Sequence, residues 1–478
     1  MKFRFAPGRG PAVAGTAMAA TSQPAATLAA LDLLRSGGNA VDAAIAAAAC
    51  LCVAEPMSNG IGGDGFSLVW DGATVHGLDA GGAAPRRVHS VVPRPWGPDS
   101  VVVPAVVAGW AELNRRFGRL GLDTCLAPAI DLAARGVAAG YHCAYSWKRA
   151  DRAPREFGLP PGLGEVFHLP HLGETLRAVA ERGPDAIYTG TIAEAICTAS
   201  WLEMDDLAEA RARWVKPMSV HYRGIDVIEM PAPTQGIAAL EALGLIECLG
   251  SAAPAHQVRA VALALEDARR VVHDDADVAG LIDPTFLAQR SIEQPVFAPE
   301  PEGGTVYLCI VDGDGMAVSH IQSLFEHFGS GVVAPGTGIV LNNRAACFSV
   351  AGQVDPGRRP YHTTIPGMLL ERGALRGPFG VMGGFIQAQA HVQLVCALVD
   401  DGLDPQAALD RPRFRVDVDA LCLEEGLWPV ADSYAMPGAN VVRDDDRLRF
   451  GGGQAIQIVN GRILGGSDPR KDGFAAGF

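Results

Sequence analysis

The sequence is poor in charge: Asp, Glu, Lys and Arg make up 19% of its 478 residues, and aromatic residues only 6%. Hydrophobic residues reach 49%, which excludes a disordered chain and leaves enough for a sizeable core. There is no long basic run, and 39 Lys and Arg against 53 Asp and Glu give a formal charge of −14, so a nucleic-acid or anionic-membrane surface has no electrostatic footing. The ten cysteines contain no C-x-x-C pair, which argues against a zinc ribbon or disulfide scaffold and for reduced, core-packed thiols. The most apolar stretch, 40–54, is interrupted by Asp42 and is too short to span a bilayer. Residues 1–20 carry early cations, then Pro and Gly, rather than a secretory signal. A soluble, cytoplasmic protein is expected. H-E-x-x-H, the P-loop, a strand-following G-x-G-x-x-G and the G-x-S-x-G elbow are all missing, and no two histidines stand four apart, so neither metal nor organic cofactor is expected.

What is present is an ordered alternation of patterns. Residues 24–35 read as an Ala/Leu helix ended by Ser36-Gly37-Gly38, and Asn39 with Asp42 caps a second small-residue helix that must stop before Pro56. A glycine corner at 60–65 leads into a strand at 66–70, with Asp71-Gly72 turning into 74–78. Helical periodicity marks 107–117, 176–182, 236–249 and 256–273. Residues 294–304, with three prolines and little to bury, predict an exposed, mobile segment. Strands at 305–311 and 316–323 follow around Asp312-Gly313-Asp314-Gly315, then a helix at 387–399 and strands at 456–459 and 462–464. This order suits a layered α/β sandwich, two sheets covered by helices, while other α+β arrangements remain open.

Thr305 stands at the head of a strand directly after the Pro/Glu/Gly segment. If the Gly304–Thr305 bond were cut, Thr305 would carry both a nucleophilic Oγ and an α-amine of pKa about 7.7–8.0 to act as its base. Glycine at 304 leaves the carbonyl under attack unshielded. The bland reading is a threonine that starts a strand, as threonine commonly does.

Several blocks together carry a resemblance. Residues 37–44 (G-G-N-A-V-D-A-A), Glu55-Pro56, 60–66 (G-I-G-G-D-G-F), 103–110 (V-P-A-V-V-A-G-W), 305–319, 328–343 and 465–470 (G-G-S-D-P-R) resemble, in order, the gamma-glutamyltranspeptidase family. The resemblance implies an N-terminal-nucleophile hydrolase, a four-layer αββα sandwich made as a proenzyme and cut before its catalytic threonine. Here that gives a larger, mostly helical piece 1–304 and a smaller piece 305–478 that together form one domain as a heterodimer, with a dimer of these left open. Ser323 falls where the family has a second threonine that hydrogen-bonds the nucleophile. Gly383 and Gly384, in V-M-G-G, match the pair whose N–H groups form the oxyanion hole, a role suited to amides at a helix start.

The head-group contacts depart from the family. Its D-x-R-E-x-A-P block reads Asp79-Ala80-Gly81-Gly82-Ala83-Ala84-Pro85, with glycine for the carboxylate-binding arginine. Its N-N-Q-M-D-D-F block reads 342–348 here, with Cys347 for the amine-binding aspartate. Phe325 replaces an asparagine, and the serine pair gives way to the 360–366 run P-Y-H-T-T-I-P. Without those partners, burying an α-amino-acid head costs several kcal/mol. Arg344, His362, Thr363 and Asn343, with Arg358 and Arg359 close by in sequence, are expected to orient a small anionic substrate instead. The runs around 360–366 and 380–384 resemble a divergent subgroup that includes oxamate amidohydrolase. Hydrolysis of a small amide or 2-oxo acid with an adjacent carboxylate is therefore expected. The alternatives are a glutathione-type γ-glutamyl hydrolase or transferase, a C–C hydrolase releasing oxalate, and a non-catalytic scaffold.

Overall fold

The helix Ala40–Ala54 is buried along its whole length. Asn39 accepts from the N–H groups of Val41 and Asp42 at 3.0 and 3.1 Å while Asp42 accepts from the Asn39 N–H at 3.0 Å, a reciprocal cap that fixes where the helix starts. Alanine on nearly every face lets it pack closely against the helices Pro24–Arg35 and Leu122–Arg135 and against the strands Gly304–Val311 and Ala317–Phe325. This computed structural model describes residues 8–88, 91–294, 303–417, 420–436 and 439–478. Most of the segment expected to be mobile, 295–302, lies outside the described residues.

Two seven-stranded sheets form the centre. One runs Phe474–Gly477, Met18–Thr21, Gly304–Val311, Ala317–Phe325, Asp64–Trp70, Val75–Ala80, Arg213–Val215. The other runs Ala12–Ala14, Arg462–Ser467, Gly452–Val459, Ala374–Met382, Gly367–Glu371, Ile225–Glu229, Met218–Tyr222. Every pairing in both is antiparallel. Phe66, Leu68, Tyr307, Ile321, Met368, Met382 and Ile456 pack between the sheets. The first sheet is backed by the Ala40–Ala54 helix and its neighbours, the second by the helices Gly236–Leu249, Pro254–Val271 and Ile386–Val399. The architecture is the αββα sandwich that the resemblance implied.

All ten cysteines are free thiols; eight are buried, Cys197 is partly accessible and Cys248 is exposed. No helix among the described residues is long and apolar enough to cross a membrane. Among the same residues no three His, Cys, Asp or Glu side chains converge as a metal site.

Candidate active site

The strands Gly304–Val311 and Ala317–Phe325 pair with Thr305 opposite Ser323, and the register slips between Gly304 and Thr305 so that Gly304 faces Phe325. A bulge at this point turns the Gly304 carbonyl toward Ser323. Thr305 Oγ1 lies 3.1 Å from Ser323 Oγ, and the Ser323 hydroxyl donates to the Gly304 carbonyl at 2.7 Å. The Phe325 N–H donates to Ser323 Oγ at 2.8 Å, and Phe325 itself holds a left-handed backbone, φ 81°. With Ser323 engaged as donor to the carbonyl and acceptor from Phe325, its remaining lone pair faces the Thr305 hydroxyl. Thr305 and Ser323 are both buried.

Gly383 and Gly384 form the turn between the strand Ala374–Met382 and the helix Ile386–Val399, with φ of 127° and 71°. That backbone favours glycine and leaves the amides uncovered. A β-carbon on Gly303 would lie 3.0 Å from Gly384 Cα and 3.2 Å from Gly384 N, so the glycine pair borders the segment that ends at Gly304. Gln235 ties this turn to its surroundings: its Nε2 donates to the carbonyls of Thr363 at 2.7 Å and Gly384 at 3.3 Å. The structure thus brings Gly304, Thr305, Ser323 and Gly384 to one place, with the Thr363 segment beside them.

The side chains expected to hold an anion are differently placed. Arg344 is fully buried, and its guanidinium grips Asp64 with both prongs, Nε to Oδ2 at 2.9 Å and Nη2 to Oδ1 at 3.1 Å. Its Nη1 donates to Thr363 Oγ1 at 3.2 Å, and its face lies 4.8 Å from the Phe325 ring centre. Burial raises the Asp64 carboxyl pKa against the pull of Arg344. Arg344 is therefore a neutralised member of an ion pair and not a free cation, because a guanidinium in this dry setting needs its counter-charge. Asn343 is engaged with backbone, donating to Pro95 O at 2.7 Å and accepting from Glu326 N–H at 3.1 Å. Arg358 is a half-exposed partner of Asp275, and Arg359 donates to the Gly81 carbonyl at 2.8 Å.

His362 is fully buried and neither ring nitrogen has a hydrogen-bond partner among the described residues; Nδ1 stands 3.8 Å from Asp64 Oδ2. Burial, then Arg344, Arg359 and Arg213, keep it neutral by lowering its pKa well below the usual range. Its imidazole takes up the space at Gly81: a β-carbon there would be 2.9 Å from His362 Nε2 and 3.0 Å from Phe66 Cζ. Thr364 Oγ1, also buried, has no partner among the described residues. A cleft of about 170 Å³ lined by Pro93, Pro95, Phe325, Glu326, Ala346, Cys347, Ser349 and Phe385 opens beside Phe325 and the glycine turn. Sequence reasoning missed Asp64, Gln235 and Phe385. Of these, only Asp64 had a signal, an acid inside an otherwise apolar glycine corner.

The gamma-glutamyltranspeptidase family model matches residues 26–478. The chain is 32% identical to the oxamate amidohydrolase proenzyme of Klebsiella pneumoniae, over 96% of this chain and 98% of that one. It is 31% identical to the glutathione hydrolase-like YwrD proenzyme of Bacillus subtilis, over 93% and 95%. Among solved structures, the cephalosporin acylase from Bacillus halodurans superposes with a TM-score of 0.93 at 37% identity, covering 100% of this chain and 98% of that one. With the sandwich and the paired Thr305 and Ser323 already in place, these matches identify the chain as a member of the gamma-glutamyltranspeptidase family and an N-terminal-nucleophile hydrolase or acylase.

Proposed function

We propose that the chain cuts its own Gly304–Thr305 bond and then hydrolyses a small amide that carries a carboxylate next to the carbonyl and lacks an α-amino group, oxamate being the simplest. The observation that carries this reading is the unbroken line of hydroxyls from Thr305 Oγ1 through Ser323 Oγ to the Gly304 carbonyl, at 3.1 and 2.7 Å. Thr305 Oγ attacks the carbonyl carbon while Ser323 polarises its oxygen. The new C–O bond forms, the C–N bond breaks, and the hydroxyl proton ends on the nitrogen, which becomes the α-amine. Water then splits the ester, giving a Gly304 carboxylate and restoring the threonine hydroxyl.

In turnover the same oxygen attacks the substrate amide, the free amine takes its proton and passes it to the leaving nitrogen, and water completes the hydrolysis. The amides of Gly383 and Gly384 hold the oxyanion. Arg344, Asn343, His362 and Thr363 act as positioning residues: Arg344 fixes Asp64 and Thr363, Asn343 ties down the loop after Phe325, and His362 closes the space beside Gly81. Gly81 and Cys347 leave an α-amino-acid head without either charged partner, which favours an amide acid over glutathione.

A second reading rests on the cleft between Phe325 and Phe385, whose mostly apolar walls suit an amide with a bulky apolar amine portion. The test is a denaturing gel followed by turnover. Two pieces, 1–304 and 305–478, and ammonia release from oxamate well above glutathione cleavage are expected. A persistently intact yet active chain overturns the self-cleavage, efficient glutathione cleavage overturns the substrate class, and preference for N-aryl amides selects the second reading.

A further inference from the structure

Self-cleavage and turnover pass through the same linkage, an ester on Thr305 Oγ, so the groups around the Gly304 α-carbon describe the place that the α-carbon of a substrate's acyl group enters. This step rests on the nucleophile proposed above. At Gly304 the place is crowded on one side. A methyl group on its α-carbon would stand 2.6 Å from Nδ1 and 3.2 Å from Cε1 of His327, and 3.2 Å from the Cα of Ser58. For carbon, 2.6 Å is an overlap. For an oxygen it is close to the length of a charge-assisted N–H···O⁻ bond, about 2.7–2.9 Å.

The polar groups here are short of partners. His327 is partly accessible as a residue, but its Nδ1 is shielded from solvent and has no hydrogen-bond partner among the described residues. Ser58 is fully buried, and its Oγ has none either. Two orphaned polar atoms on residues flanking one α-carbon are costly, about 1–3 kcal/mol each, unless something comes to satisfy them. Burial, followed by Lys471, lowers the His327 pKa to about 4 against a hydrogen bond to the Met57 backbone, so at neutral pH the ring is uncharged, and an anion placed against Nδ1 would select the tautomer that carries the proton there. Lys471, Arg149 and Arg152 all bear on the ring, but each faces an acid, Lys471 Glu55 at 4.0 Å, Arg149 Asp446 at 3.0 Å and Arg152 Glu326.

We propose that His327, assisted by Ser58, is the specificity-determining residue for the acyl α-carbon: its ring excludes an alkyl branch there, and its Nδ1–H donates to an oxygen that this carbon bears. The carboxylate of an oxamate-type acid presents that oxygen. Acyl groups of the acetyl kind fit without the hydrogen bond, and branched ones do not fit.

The steric half is tested on self-cleavage, which needs no added substrate. Gly304→Ala is expected to remain a single band, and Gly304→Ala combined with His327→Gly to recover cleavage into two pieces. Cleavage of the single variant at the normal rate, or no recovery in a soluble double variant, overturns it. The polar half is tested on mature enzyme with oxamate and acetamide. His327→Ala is expected to raise KM for oxamate about tenfold or more, the equivalent of one charge-assisted hydrogen bond, with kcat and acetamide turnover little changed. His327→Asn, which returns an N–H to the Nδ1 position, is expected to restore KM. An unchanged KM in His327→Ala, or equal losses for both amides, overturns it. A wild-type chain that fails to self-cleave or to hydrolyse oxamate strikes the proposed function itself and is distinguishable from either result.

Discussion

The imidazole of His362 stands where a side chain at position 81 would begin, its Nε2 2.9 Å from the place of a β-carbon on Gly81. The two positions are one steric unit. A side chain at 81 and this histidine compete for the same space. Gly81→Ala is expected to destabilise the fold by about 1–3 kcal/mol through overpacking against His362, Asp79 and Phe66. Combining it with His362→Ser should recover at least about 0.5 kcal/mol relative to additivity. Urea unfolding of the four proteins measures this, and strict additivity would show that the two residues do not compete.

Thr305→Ala is expected to leave one intact band and no turnover. Ser323→Ala is expected to slow self-cleavage by about 10²–10³-fold, the usual effect of removing one oxyanion donor, while Ser323→Thr keeps the hydroxyl and most of the rate. Intact mass against time after expression separates the three variants.

Arg344→Met removes the charge that holds Asp64 ionised against its burial, and the acid must then take up a proton or stay unpaired in a dry interior, a change that costs about 3–5 kcal/mol. Its thermal midpoint should fall by several degrees, whereas a residue serving only to bind substrate would raise KM at an unchanged midpoint. Replacing both members, Arg344→Met with Asp64→Asn, should recover much of the stability.

Glu55 caps the end of the buried Ala40–Ala54 helix; its carboxylate has no hydrogen-bond partner among the described residues, and burial pushes its pKa up to about 7, partly offset by Lys471 at 4.0 Å. Because the folded pKa lies above the unfolded one, this group's contribution is fully present below the unfolded pKa and is lost as pH rises toward 7. Glu55→Gln should flatten the stability profile between about pH 4.5 and 7, as seen in urea midpoints, and a profile as steep as that of the parent would place the titration elsewhere.

The α-amine released at Thr305 must be unprotonated to accept a proton. Accordingly kcat/KM is expected to rise as pH passes about 7.7–8.0, or lower if the buried site depresses the amine. A rate that is flat from pH 6 to 9 would contradict the amine as base.

Local chemistry made the helices legible: the Gly236–Leu249 helix matches its predicted bounds, and the Asn39 cap and the Asp71-Gly72 turn occur as read. The strand Ala374–Met382 was invisible because Gly377 and Pro378 interrupt its pattern; Gly377 sits at φ 147° against the Ile456 carbonyl, a need set by a distant strand. Thr305 stood out through its setting, and Ser323, Gly383 and Gly384 through the family blocks. The partner of Arg344 could not be read, since Asp64 lies 280 residues away and only the pairing of the two sheet strands around Ser323 brings it near. His327 likewise reads as one more scattered histidine until Gly304 is set against it.

Strands from either side of residue 304 are interleaved in the first sheet: Gly304–Val311 is held between Met18–Thr21 and Ala317–Phe325, Met18–Thr21 lies between it and Phe474–Gly477, and Asp64–Trp70 pairs with Ala317–Phe325. A nick at 304/305 therefore divides the covalent chain without dividing the core. The products are expected to melt in one transition, to travel together through gel filtration, and to resist reconstitution from fragments folded apart, since each alone would expose unpaired strand edges that invite aggregation.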